Sequence, residues 1–231
     1  MVIYKLNFPI YGIIILLSII IGMLYIFFKL KKIGKSSKEI SYFYIIYVTF
    51  AFICGKIYTL LIYNSQKNIW TVGLSAYGGL IGVIIGAVVF EKIFYCNKNI
   101  IKYTTLSLPL VYGLTKIACF ISGCCYGLPY DGIIKVIYSD ELNIGQFPIQ
   151  IIETIVFLII FLICNKNSSK KNITYKTLFI VFLCKFILDF FRYEHLNVIL
   201  SRNQIVSIFL MFILVMIKKT KVIDNFLNKN N

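Results

Sequence analysis

The sequence predicts an all-α fold, a polytopic membrane bundle of about seven transmembrane helices. Three observations point there: 59% of the 231 residues are hydrophobic, only 14% are charged, and there are just four prolines. Helical spans need about 20 apolar residues each. The long runs here are continuous and rich in Ile, Leu and Phe, whereas strands of a membrane β-barrel alternate in stretches of about ten.

The candidate spans are residues 8–28, 40–63, 74–95, 101–122, 149–164, 177–191 and 203–217. The first is followed by the basic cluster Lys29-Leu-Lys-Lys-Ile-Gly-Lys35 and lacks a small-residue cleavage pattern, so it reads as a retained span and not as a cleaved signal peptide. The second carries Lys56, and the third opens at Gly73-Leu-Ser-Ala-Tyr-Gly-Gly-Leu-Ile-Gly82. The fourth contains Lys116 and runs into the turn Gly123-Cys-Cys-Tyr-Gly127. A connection of about 25 residues, 123–148, then leads to the short fifth span, which follows Pro148. The sixth holds Lys185 and Asp189, and the seventh opens at Asn203-Gln204. There is no internal repeat, and residues 1–231 read as one integral membrane domain.

A formal net charge of +15 invites a nucleic-acid reading, but its distribution argues against one. Lysines concentrate in Lys29–Lys38, Lys92–Lys102, Lys166–Lys176 and Lys218–Lys229, which are alternate loops and the C-terminal tail. The other loops carry only Lys5, Lys67, Lys135, Arg192 and Arg202. Basic short loops stay cytoplasmic, so the N-terminus is expected outside and the C-terminus inside. A polybasic face beside anionic lipid accounts for the charge without nucleic acid.

Seven cysteines (Cys54, Cys96, Cys119, Cys124, Cys125, Cys164 and Cys184) are scattered along the chain. The odd count argues against a disulfide framework. With no C-x-x-C and only one histidine, His195, no metal site is expected. Packing or turn-forming roles are expected for Cys119, Cys124 and Cys125.

Polar groups inside a membrane are tolerated only with partners, and so mark candidate sites; an unpaired lysine facing lipid costs roughly 2.5 kcal/mol or more. Lys116 is therefore expected to face protein or a wet cavity. Lys185, Asp189 and Arg192 stand four and three residues apart and share one helix face, as do Gln150, Glu153 and Thr154. With Gln204, these groups are expected in the outer half of the bundle around a shared cavity. Lys185 with Asp189 is the obvious internal ion pair. Small residues Gly78, Gly79, Gly82 and Gly86 permit close helix approach, and Tyr77 followed by two glycines leaves backbone exposed beside a phenol.

The order of these motifs resembles that of the prolipoprotein diacylglyceryl transferases, a family of seven-span bacterial membrane enzymes. The matching elements are Tyr11-Gly12, Gly55-Lys56-Ile57, Gly73 to Gly82, Lys116 to Gly127, Pro148-Ile-Gln-Ile-Ile-Glu153, Lys185 to Arg192, and Asn203-Gln204. The resemblance implies a bacterial cell membrane and transfer of a diacylglyceryl group from phosphatidylglycerol to a lipobox cysteine of a prolipoprotein signal peptide, with no cofactor. It further implies catalytic roles for Tyr77, Lys116, Lys185 and Tyr11. Lys116 and Lys185 would neutralise the lipid phosphate, while Tyr77 and Tyr11 would position the headgroup or relay a proton. The substrate-binding set would be Gly78, Gly79, Cys119, Gly123, Gly127, Gln150, Glu153, Asp189, Arg192 and Gln204.

The chain also departs from the family pattern. Lys116 and Lys185 stand where arginine is usual, Cys119 where asparagine is common, Cys124 where glutamate is common, Tyr77 where histidine is frequent, and Asp189 where glutamate is usual. Lysine keeps the charge but loses the planar fork that grips phosphate in two places. These changes leave open a member acting on another acceptor, or a phospholipid-binding protein without catalysis.

Overall fold

The computed structural model describes residues 2–3, 8–62, 68, 72–94, 99–138 and 144–219. Lys5, Lys67, Cys96 and the tail beyond residue 219 lie outside the described residues. Seven α-helices follow in order: α1 Phe8–Lys32, α2 Ser37–Ile62, α3 Ala76–Ile93, α4 Ile100–Ser122, α5 Ile149–Lys166, α6 Ile173–Asp189 and α7 Arg202–Lys219. The first five are long and apolar enough to cross a membrane. The last two are short or more polar, with Lys185 and Asp189 on α6 turned into the bundle. Lipid-facing stripes are plain on α1, where Ile13, Leu16, Leu17, Ile20, Ile21 and Phe28 are exposed, a pattern stable only in a hydrocarbon solvent.

α4 is the central helix and packs against α1, α3, α5 and α6. Its sequence explains this role, because small and hydroxylic residues let neighbours approach. Thr104, Thr105 and Ser107 are fully buried on it. Pro109 lies inside the helix and withholds an amide from the carbonyl of Thr105. The Ser107 hydroxyl donates to the Thr104 carbonyl at 2.7 Å, and such local hydroxyl bonds are one way a proline-containing membrane helix re-satisfies its backbone.

At the lysine-rich end, local signals fix the helix starts. Ser36 and Glu39 form a reciprocal capping box, with Ser36 N–H to Glu39 Oε2 at 2.9 Å and Glu39 N–H to Ser36 Oγ at 3.2 Å. Glu91, buried at the end of α3, accepts the Ile101 N–H at 2.8 Å. Its carboxylate thereby sits on the positive end of the α4 dipole.

At the opposite, lysine-poor end, the described part of the 123–148 connection contains two short strands absent from the helical expectation. β1 (Val2–Ile3) runs parallel to β2 (Val136–Tyr138), and β2 pairs antiparallel with β3 (Gly145–Gln146). Strands of two or three residues leave no periodicity to read. A second contact matters more: Leu128 N–H donates to the Phe191 carbonyl at 2.9 Å, and Tyr193 N–H to the Tyr126 carbonyl at 3.0 Å. The turn after α4 is thus stitched to the segment after α6.

The glycines of α3 bring it against α2. A Cβ on Gly82 would lie 2.2 Å from the Phe50 carbonyl oxygen, and one on Gly78 2.4 Å from that of Cys54. Gly79 faces open space. Accordingly Gly82→Ala should lower stability by about 1–3 kcal/mol through overpacking. Gly79→Ala should stay within about 0.5 kcal/mol, both measured by thermal unfolding in detergent.

Candidate functional site

At the lysine-poor end, α4, α5 and α6 bring five charged side chains together, all buried. The Glu153 carboxylate, wholly inaccessible, is the hub. Lys116 Nζ lies 3.2 Å from its Oε2, Arg192 Nη2 2.6 Å from the same oxygen, and Lys185 Nζ 3.4 Å from Oε1. The Tyr112 hydroxyl donates to Oε1 at 3.0 Å. Asp189 forms a second, smaller node. Arg192 Nε lies 3.0 Å from its Oδ1 without an aligned hydrogen bond. Lys185 is 4.0 Å from that oxygen, and the Ser201 hydroxyl donates to Oδ2. Lys185 is therefore closer to Glu153 than to its helix neighbour, so the expected Lys185–Asp189 pair is the weaker of its two. Three cations face two carboxylates, a formal excess of one positive charge.

Aromatic rings complete the walls. The Tyr112 ring receives Lys116 and Lys185, each with Nζ 4.9 Å from its centroid, and Lys185 also sits 5.1 Å from the Tyr77 ring. Such contacts stabilise a desolvated ammonium by about 2 kcal/mol. The Tyr77 ring stacks on Tyr58 at 5.9 Å, and its hydroxyl shares a 2.6 Å hydrogen bond with Ser207 of α7. Ser207 in turn donates to the Asn203 carbonyl at 3.0 Å, which leaves the Tyr77 phenol as the donor of that pair. Tyr77 is thus held inside the bundle, its hydroxyl engaged by α7.

The structure sorts the remaining sequence-derived residues. Tyr11 on α1 lies beside Cys119, Cys124 and Cys125. Gln150 Nε2 donates to the Cys124 carbonyl at 2.8 Å, tying α5 to the turn after α4. Gln204 caps α7 with Ser201 as a second reciprocal box and donates to the Phe186 carbonyl at 3.1 Å; its polar groups serve helix ends and not an open surface. Two of the glycines named for substrate sit at close packing contacts. A Cβ on Gly127 would lie 2.1 Å from the Phe147 carbonyl oxygen, and the bare face of Gly78 is covered by α2. Gly123, at φ 62°, ends α4 in the left-handed conformation that glycine adopts freely. Lys56 donates to the Val72 carbonyl at 3.0 Å.

That turn also gathers three sulfurs. The Sγ atoms of Cys119, Cys124 and Cys125 all lie within 4.8 Å of one another, in the turn for which packing or turn-forming roles are expected. The neighbouring thiols of Cys119 and Cys124, with Lys116 and Arg192 nearby, draw the Cys125 thiol below its ordinary range. Tyr112, Ser201 and Ser207 were not singled out by sequence reasoning. Tyr112 stands four residues before Lys116 on the same face of α4, which is the signal that points to it.

The family model for prolipoprotein diacylglyceryl transferases matches residues 1–218. The chain belongs to the prolipoprotein diacylglyceryl transferase family. It is 27% identical to a phosphatidylglycerol–prolipoprotein diacylglyceryl transferase of Clostridium tetani over 88% of this chain and 89% of that one. A Rickettsia bellii protein of the same name is 30% identical over 76% of each chain. One from Dehalococcoides mccartyi is 25% identical over 67% of this chain and 62% of its own length. The family is one of multi-pass membrane transferases, and the buried charges lie on its matched segments.

Breaking a buried ion pair by removing one partner costs about 3–5 kcal/mol. Glu153→Gln should reach the upper part of that range, because it removes a partner from all three cations and leaves Lys116 without its carboxylate. Asp189→Asn should cost less, because Arg192 and Lys185 keep Glu153. Reversible unfolding in detergent measures both, and the reverse order would refute the hub assignment.

Proposed function

We propose that this chain transfers the diacylglyceryl group of phosphatidylglycerol to the thiol of a lipobox cysteine in a prolipoprotein, in the plasma membrane of a bacterium. The observation that carries the reading is the Glu153-centred cluster, three buried cations with one positive charge in excess on a chain of this family. The lysine distribution sets the cluster near the outer face, where a secreted acceptor is presented.

In the reaction, the acceptor sulfur attacks the glyceryl carbon that bears the phosphate ester oxygen. A C–S bond forms, the C–O bond breaks, and its electron pair leaves on glycerol phosphate. The thiol proton is released on the way. Negative charge gathers on the departing phosphate, so fixed cations beside it lower the barrier most. Lys116 and Lys185 are the ammonium groups for that work, with Glu153 and Asp189 setting their positions. Arg192, bound by both carboxylates, is the rigid fork. Tyr112 and Tyr77 hold their ring faces against the ammonium groups.

Production of the chain in a transferase-depleted bacterium, with mass spectrometry of lipoprotein N-terminal peptides, tests the reading. Rescue with a diacylglyceryl thioether is expected, and no thioether from a folded, inserted protein would refute it. Lys116→Gln and Lys185→Gln should each reduce thioether formation by about 100-fold or more, while Lys116→Arg should retain it.

A further inference from the structure

The contacts of Glu153 are unequal. Charge-assisted N–H···O bonds run about 2.7–2.9 Å. Arg192 meets Oε2 at 2.6 Å, whereas Lys116 and Lys185 stand off at 3.2 and 3.4 Å. The other oxygen, Oε1, takes its shorter contact from a neutral group, the Tyr112 hydroxyl at 3.0 Å. The carboxylate thus gives its closest contacts to Arg192 and Tyr112 and holds both lysines at longer range.

Sequence and packing place Tyr112 for this. It stands one helical turn before Lys116 on α4, and Phe157 stands one turn after Glu153 on α5. The two rings pack with centroids 4.5 Å apart and planes tilted by 54°. Gly113 lets the helices close here, since a Cβ on it would lie 3.2 Å from the Thr154 carbonyl oxygen and 3.3 Å from the Phe157 Cβ. Tyr112 is only 3% exposed, and both ammonium groups lie 4.9 Å from its ring centroid. One side chain therefore meets the carboxylate with its hydroxyl and both lysines with its ring.

We propose that Tyr112 is a positioning residue that keeps Lys116 and Lys185 available to the substrate's phosphate. Its hydroxyl occupies Oε1, and its ring holds the two ammonium groups beside the carboxylate instead of on it. This rests on the transferase reading above. A phenol donates one proton and carries no charge, so it satisfies an acceptor site without adding a cation. An ammonium is a point charge without a planar fork. With the hydroxyl gone, Oε1 is left to Lys185, the cation already facing it, and that ammonium is drawn onto Glu153 and away from phosphate. The phosphate gains negative charge as the C–O bond breaks, so the loss falls on the transition state more than on lipid binding.

The test uses the full-length protein in detergent with phosphatidylglycerol and a lipobox cysteine peptide. Tyr112→Phe keeps the ring and removes only the hydroxyl, and circular dichroism would verify its fold. Its kcat for thioether formation should fall about 10-fold, the order expected of one hydrogen bond to a charged group. KM for phosphatidylglycerol should change by less than about 3-fold. Glycerol phosphate, which reports on the cations without the reaction, should bind about 10-fold more weakly to the variant by calorimetry. Arginine should rescue, because its fork serves Oε1 and phosphate together. In a Lys185→Arg background, Tyr112→Phe should cost less than about 2-fold in kcat and in glycerol phosphate affinity. Equal losses in the lysine and arginine backgrounds, a rise in KM alone, or wild-type values in Tyr112→Phe would overturn the positioning role. Glycerol phosphate binding that follows the expected pattern, with no thioether from the wild type, would instead sink the transferase reading and leave the positioning of the cations standing. Neither binding nor thioether from a folded wild type would overturn both.

Discussion

The carboxylate of Glu153 is the point on which the lysine-poor half of this bundle depends. It sits one turn into α5 and binds a cation from α4, another from α6, and a third just beyond the end of α6. An ammonium group released into the hydrocarbon would be expensive, so each cation demands a partner, and one residue supplies the shared partner for all three. α5 is therefore anchored to both of its neighbours at a single depth. The turn after α4 is drawn to the same place by Gln150 and by backbone pairing with residues 191 and 193.

Packing elsewhere serves that arrangement. Close approach of α3 to α2, permitted by Gly78 and Gly82, delivers Tyr77 onto Tyr58 and against Lys185. α7 closes the other side through Ser207 on Tyr77 and Ser201 on Asp189. An aromatic and hydroxylic jacket of this kind keeps cations desolvated yet satisfied.

Much of this was legible in the sequence, and the limits have physical causes. Helix positions followed from unbroken apolar runs, and the shared face of Lys185, Asp189 and Arg192 followed from helical spacing. Helical spacing says nothing about which partner a lysine takes across helices, so Lys185 was matched first with Asp189 instead of Glu153. The sequence cannot say that carbonyls of Cys54 and Phe147 pack against Gly78 and Gly127, because a missing side chain looks the same whatever fills the space. The sulfur cluster was hidden for a different reason. Cys119 and Cys124 are too far apart for a helix face and too irregular for a C-x-x-C, and only the two left-handed residues of the turn bring them together. Strands as short as β1 and β3 carry no pattern at all.

The most direct measurement is a pair of double-mutant cycles on unfolding free energy, Glu153→Gln with Lys116→Met and Glu153→Gln with Lys185→Met. If one carboxylate holds both cations, each cycle will give a favourable coupling within the 0.5–3 kcal/mol range of contacting residues, and each double variant will be more stable than additivity allows. Coupling near zero in both cycles, with additive losses, would contradict the hub and remove the physical basis for a preorganised phosphate site.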